Sequence, residues 1–490
     1  MLRGLISCKR VKSFEDLCFG NYMIMPIEST SCNSLVFSRC EKLEEAHMDL
    51  WFREFCICKT SRYARSERLV GGPRVQSEAK RRGRFCRALA ILLVLLAPGI
   101  SAAAEKPKVR AITSFVRIDY TKYADQVQEA VLVLRQAKAE FERAGFEVQS
   151  IRITTQAFPE YVQNLPREET LAFFRQYDQL ARREHFSASI GPAMRSAKDS
   201  AQYAELLAEI LRTTDLDGSI VVAGEDGIHW DAVRAAAKLI KDVSTTTPRS
   251  EGNFRFAATA LLPPNGPFYP GSYHTGPGHE FAVGLESAGV VGEALAASKW
   301  DPSSARERLK TLLGGYGRAI EEVARGVQEK TGWRYVGLDL SPAPNKDVSI
   351  GAAIEQFTGT KYGSSGTMTA ASLITQALQE IPVKHAGYSG LMLPILEDNV
   401  LAARWSEGAV TVDALLAYSS VCGTGLDTIP LPGDVTREQL ERMIADVATL
   451  AVKWHKPLSV RLLPAAGKNA GDRTEFDNPS LVNATLRPLP

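Results

Sequence analysis

Beyond residue 104 this chain of 490 residues holds one cysteine, Cys422. A lone thiol excludes an internal disulfide framework, so a packed core has to supply the stability. The other seven, Cys8, Cys18, Cys32, Cys40, Cys56, Cys58 and Cys86, all lie earlier, and their spacing matches no paired CxxC zinc pattern. Long apolar runs are equally scarce. Residues 88–100 read ALAILLVLLAPGI, clearly shorter than the roughly 20 residues a membrane span needs. The run follows a basic stretch at 81–87 and leads into SAAAE, where Ala102 and Ala104 suit a signal peptidase. Residues 81–104 therefore read as a secretory signal peptide cleaved near Ala104, giving a periplasmic or secreted protein without a stable membrane span. Residues 1–104 as a whole read as a leader in which the start is called too early, translation beginning nearer Val70. The remainder, 105–490, is expected to form a single α/β domain.

Positive charge is also in short supply once the leader is set aside. The leader carries 17 Lys and Arg against 10 Asp and Glu, which leaves 41 and 46 in the rest, a formal balance of −5. A mildly acidic chain gives no reason to expect nucleic acid or an anionic membrane as partner. No linker rich in Gly, Ser or Pro divides it, and no repeat is visible. What is present is alternation. Val127, Val131, Leu134, Ala137 and Phe141 recur at three- and four-residue steps, which predicts a helix over 124–144 stopped by Gly145. Strand-like VRAITSFVRI and FEVQSIRIT flank it. Helices are expected over 167–185, 201–213, 230–243, 305–331 and 367–379. Strands are expected at 218–223, 254–262, 282–285, 335–340, 391–393, 415–419 and 458–463. Repeated strand and helix units with apolar strands imply a sheet covered by helices.

Five segments carry candidate chemistry. GPFYPGSYHTGPGHEF, 266–281, is dense in glycine and proline and holds His274, His279 and Glu280. Such a set suits a transition metal or simply hydrogen-bonded histidines; the helical HExxH arrangement is absent. VGLDLSPAP puts Asp339 at the end of an apolar strand, where open α/β folds place ligands and where turn-forming Asp is also at home. GTKYGSSGT offers Ser364, Ser365 and Gly366 ahead of a helix, as an anion cradle or an ordinary N-cap, without the Walker spacing. LMLPILEDN has Glu397 beside Asp398, of which one is expected to face a pocket. YSSVCGTGLDTIPLPGD sets Cys422 between a strand and a glycine-rich turn, as a nucleophile or a buried inert thiol, with Asp427 and Asp434 as loop acids.

Taken together, VRAIT, GPFYPGSYH, FAVGLES, GLDLSPAP, GSSGT, GYSGLMLPILED, VCGTGLDTIPLPGD and KPLSVRLLPAAGKNAGD resemble the domain-of-unknown-function family 711 over about residues 109–472. The resemblance implies a large α/β barrel with helices outside, of the kind found in pyruvate formate-lyase and other glycyl radical enzymes. It also implies a pocket to which His274, Asp339, Glu397, Cys422, Asp427 and Arg461 contribute. No RVSGY-like C-terminal segment is present, and an exported protein lacks the cytoplasmic activase, so no glycyl radical is expected. The function expected is a non-radical enzyme acting on a small polar or anionic molecule. Carboxylates and His274 would supply acid/base chemistry or hold a divalent metal, and Arg461 would hold an anionic group. The alternative is a noncatalytic binder or sensor of a small solute using the same pocket.

Overall fold

Alternating apolar residues in this chain pack outward against helices, and that alternation sets the architecture of residues 106–489, which the computed structural model describes. The leader, its seven cysteines and the signal peptide lie outside the described residues. The first half runs β1 (Lys108–Val116), α1 (Tyr123–Arg143), β2 (Ile151–Thr155), α2 (Pro159–Val162), α3 (Arg167–Glu184), β3 (Ser187–Pro192), α4 (Gln202–Thr213) and β4 (Asp217–Gly224). It continues with the short β5 (Gly227–Ile228), α5 (Trp230–Thr246), a 3-10 segment (Pro248–Arg255) and β6 (Phe256–Ala260). The second half has β7 (Glu280–Glu286), α6 (Ala288–Ala296), α7 (Pro302–Thr331), β8 (Arg334–Ala343), α8 (Ile350–Thr358) and α9 (Thr367–Gln379). After these come α10 (Asn399–Ser406), α11 (Val412–Ser419), β9 (Gly425–Pro432), α12 (Arg437–Trp454) and β10 (Leu458–Ala465).

The strands form one sheet in the order β8-β7-β1-β2-β3-β4-β6-β10-β9, with β5 paired to β4. Two parallel sets meet head to tail. β1, β2, β3, β4 and β6 run one way. β7 with β8, and β10 with β9, run the other way, joined through antiparallel pairs β1/β7 and β6/β10. The free edges of β8 and β9 are bridged by an irregular extended segment, residues 384–398. At one end Leu338 N donates to Lys384 O (2.7 Å) and Ala386 N to Leu338 O (3.0 Å). At the other, Gly423 N donates to Leu391 O (2.7 Å) and Ile395 N to Asp427 O (3.0 Å). The sheet thus closes on itself as an α/β barrel with helices outside, the fold class the resemblance implies, and its edges are covered.

Most strands and helices stand where periodicity puts them, with three corrections. Residues 391–393 belong to this bridging segment and form no ladder strand. Residues 415–419 end helix α11, whose Thr411 hydroxyl accepts from Ala414 N. A short apolar run such as LLAYS fits strand or helix equally, and the N-cap decides. The glycine- and proline-rich stretch after Cys422, read as a turn, is the fully buried strand β9. Its prolines are tolerated because a regular ladder flanks it on one side only.

The barrel has an outer core between sheet and helices, including Phe141, Phe174, Ile190 and Ile354, and a small separate inner cluster. The inner cluster joins Leu262, Phe268 and Tyr388, with the two rings edge to face at 5.0 Å. Phe268 belongs to the β6–β7 connection, which enters the barrel. There Tyr269 Oη donates to Ile153 O (2.6 Å), and the Ser272 and Thr154 hydroxyls pair at 2.9 Å. Among the described residues no helix is long and apolar enough to cross a membrane.

Gly387, at φ +61°, lets the bridging segment turn directly against the Asp339 carboxylate, where a Cβ would collide with Oδ2. Gly387→Ala should lower stability by roughly 2 kcal/mol, combining overpacking with a left-handed backbone. Urea unfolding checks this; a midpoint equal to the parent's would mean the segment yields freely.

Candidate functional site inside the barrel

Because the two strand sets are antiparallel, one end of the barrel gathers the N-terminal ends of β1 to β4 and β6 with the C-terminal ends of β7 and β8. A cavity of about 720 Å³ opens there, large enough for a small-molecule ligand. Period-two alternation decides which side chains enter it. On β2, Ile151 and Ile153 pack outward, so Arg152 points in; on β8, Leu338 and Leu340 pack outward, so Asp339 and Ser341 point in. The charged lining residues are all Arg, Asp or Glu.

Most of these charges are already matched. Glu397 of the bridging segment reaches Arg110 of β1 with Oε2 (3.1 Å) and Arg461 of β10 with Oε1 (2.8 Å). Arg461 also donates to Asp427 Oδ1 (2.9 Å) and to Phe254 O (3.1 Å), and lies over the Phe254 ring. Burial alone would weaken the hold of Arg461 on its proton, but Asp427 and Glu397 raise it, so this guanidinium is a permanent cation. Burial pushes the Asp427 carboxyl up, against the pull of Arg461. Arg110 is further matched by Glu286 at 3.6 Å. Near the mouth Arg182 spans Asp178 (3.0 Å) and Asp215 (2.8 Å). Arg255 donates to Leu211 O (2.8 Å) and Thr214 O. Glu251 accepts from Asp477 N and Asn478 N, fixing the C-terminal segment beside the opening.

Two groups stand apart. Arg152 lies over the Tyr269 ring at 4.8 Å and makes only long bonds to Ser150 Oγ (3.3 Å) and Pro267 O (3.4 Å), with no carboxylate partner among the described residues. Burial first, and the neighbouring Arg110 second, lower its pKa to about 10. Asp217, at the start of β4, accepts no hydrogen bond and joins no ion pair among the described residues. Burial raises its pKa to about 7, although Arg255, Arg152 and Arg461 all oppose the rise. The ionised form is the costly one, so on this account the ligand-free protein loses stability as pH rises from about 4 to about 7.

The expected site residues divide. Asp339, Glu397 and Arg461 line the cavity, and Asp427 lies behind Arg461. Asp339 is committed to structure: Ser341 N (2.9 Å) and Ser389 N (3.0 Å) donate to Oδ1, and Tyr388 N (3.2 Å) to Oδ2. Burial raises its pKa against these bonds. Of the adjacent acids, Glu397 faces the cavity and Asp398 is the buried N-cap of α10, also accepting from Ser349, Ile350 and Gly351. His274 is buried outside the lining, bonded through Nδ1 to Asn265 Oδ1 (2.9 Å) and stacked on Phe115, and burial lowers its pKa. His279 is exposed, so the two histidines do not converge. Ser364, Ser365 and Gly366 form an outer turn ahead of α9, and Gly366 is its N-cap. Cys422 is fully buried between α11 and β9, away from the cavity.

Among the described residues no group of three or more His, Cys, Asp or Glu side chains is arranged to hold a metal ion. Arg152 and Asp217 escaped the sequence reading. Their only signal was a charge alternating with, or directly preceding, buried apolar strand residues.

The family model described as "Uncharacterised ACR (DUF711)" matches residues 102–478. A UPF0210 protein of Pyrobaculum aerophilum is 38% identical over 281 residues, covering 55% of this chain and 61% of its own length. One from Pyrobaculum arsenaticum is 35% identical over 289 residues, covering 56% and 63%, and one from Clostridium acetobutylicum is 33% identical over 282, covering 55% and 62%. The matched stretch is therefore about three fifths of these relatives. A solved anaerobic ribonucleotide reductase from Thermotoga maritima superposes with a TM-score of 0.35 at 9% identity, over 72% of this chain and 75% of that one, too distant to carry chemistry across.

Glu397→Ala would leave Arg110 and Arg461 without their shared partner inside the barrel. Breaking a buried pair in this way costs about 3 kcal/mol or more. Chemical denaturation should show that loss, with a smaller one for Glu397→Gln; a change within about 1 kcal/mol would mean that this carboxylate does not fasten the closure.

Proposed function

The chain belongs to the DUF711 family, and from its cavity we propose that it binds a small organic anion and exchanges a proton with it. The observation that carries this reading is one cavity holding an unpaired guanidinium, Arg152, and an unpaired carboxyl, Asp217. A guanidinium close to a second one, partly desolvated and lacking a counter-ion, is stabilised by an incoming carboxylate, which it grips with two parallel bonds. Arg110 adds its field to the same place. Asp217, poised near neutrality, takes a proton from a carbon–hydrogen bond of the bound molecule when ionised, leaving the electron pair on that carbon, and returns a proton to the same carbon when protonated. Glu397, Asp427 and Arg461 hold the wall rigid, and Asp339 fixes the bridging segment; these are positioning residues.

Thermal shift against small carboxylates should reveal stabilising ligands, and Arg152→Met should abolish the shift. Incubating a binding anion in D₂O should wash deuterium into it at a rate that rises with pH through about 7, because the base is ionised Asp217, and Asp217→Asn should stop the exchange. Saturable binding without exchange in the unaltered protein would leave a noncatalytic binder. If no small anion binds, the reading fails.

We further propose that the protein is exported, supported by the basic run, short apolar run and SAAAE site that precede the family match. Mass spectrometry of the native protein should find its N-terminus near Glu105; a native chain retaining residues 81–104 would overturn export by cleavage.

A further inference from the structure

Resting on that reading of the cavity, we infer that the ligand is a zwitterion of the amino-acid type, its carboxylate on Arg152 and its ammonium on Asp217. The inference comes from which lining charges are left over. Arg110, Arg182 and Arg461 each meet carboxylates, Arg255 is bonded to two backbone carbonyls, and Glu251 and Asp339 are filled by backbone N–H donors. One guanidinium and one carboxyl remain unpaired, Arg152 and Asp217, in the same enclosure and not ion-paired with one another.

Their placement is fixed by the sheet. Arg152 is level with Ser187 of β3 and Asp217 with Ser189, so the two project from strands on either side of β3, two residues apart in register. Two strand spacings and the two-residue offset separate their backbones by about 12 Å, and both residues line the same cavity. A compact ligand with opposite charges a few ångströms apart fits between them.

Electrostatics separate the candidates. A plain anion matches Arg152 but brings negative charge toward Asp217, forcing it to hold its proton. A plain amine matches Asp217 but adds positive charge beside Arg152 and Arg110. A zwitterion gives a counter-charge to Arg152 and to ionised Asp217 at once, whereas a plain anion leaves Asp217 protonated. Tyr269, Phe254, Phe268 and Met392 supply apolar lining surface for a side chain.

The test uses the full protein and calorimetric titration of the twenty common L-amino acids, each beside its des-amino carboxylic acid and its des-carboxy amine. At least one amino acid should bind tenfold or more tightly than both of its truncated forms. Asp217→Asn should bring its affinity down to that of the des-amino acid, and Arg152→Met should abolish binding of both, with circular dichroism confirming that each variant is folded. If des-amino acids bind as tightly as the amino acids and Asp217→Asn changes nothing, the zwitterion is wrong while the anion site stands. If neither set binds, the anion site itself falls.

Discussion

The structure depends on one carboxylate, Glu397, whose two oxygens hold Arg110 on one strand set and Arg461 on the other. A barrel made of two antiparallel sets has to be closed somewhere, and here the closing piece is not a regular strand. The segment over 384–398 is hydrogen-bonded to β8 at one end and to β9 at the other, leaving little ladder between. Side chains make up the difference. Asp339 accepts the Tyr388 and Ser389 N–H groups near its start, and Glu397 ties its end to two strands. The ion network is thus at once a fastening and a cavity wall.

That dual use explains why so many charges line a space of this size without making it reactive. A buried charge is costly unless paired, and each member of the Glu286, Arg110, Glu397, Arg461 and Asp427 chain is paired with at least one other. Two lining groups, Arg152 and Asp217, stand outside this chain of pairs. Arg152 and Asp217 sit on β2 and β4, in the regular half of the barrel, where the strands hold them in place. Sites built on strands are more precise than sites on loops.

Helix periodicity and apolar strands made the alternation of elements legible, because the outer core obeys the ordinary rule of apolar faces packed against helices. Glu397 was legible as one of two adjacent acids, and Arg461 only through the family resemblance. The inner wall was harder. In IRIT the arginine alternates with isoleucine as it would on a solvated strand, and period two says which residues share a face, not whether that face looks at water or at a cavity. Asp217 stands just before GSIVVA and resembles a turn acid. Asp427 read as a loop acid because glycine and proline usually punctuate loops, but here they belong to a buried strand. His274, Cys422 and the Ser364 turn stood out by residue type, and type alone does not tell a packed or surface position from a lining one.

The antiparallel union of the two halves also gives the cavity a polarity that no single side chain supplies. On the β2, β3 and β4 side, the chain enters the strands from α1, α3 and α4, so helix C-termini, with their partial negative charge, gather at this end. On the β7 and β8 side the chain leaves the strands for α6 and α8, so helix N-termini, with partial positive charge, gather at the same end. Opposed macrodipoles therefore set a potential gradient across the mouth, each terminus contributing about 0.3–1 kcal/mol where it is near the surface. Only a molecule lying within about a turn of these helix ends would feel that gradient, and at the α8 end the Asp398 carboxylate already accepts the Ile350 and Gly351 N–H groups.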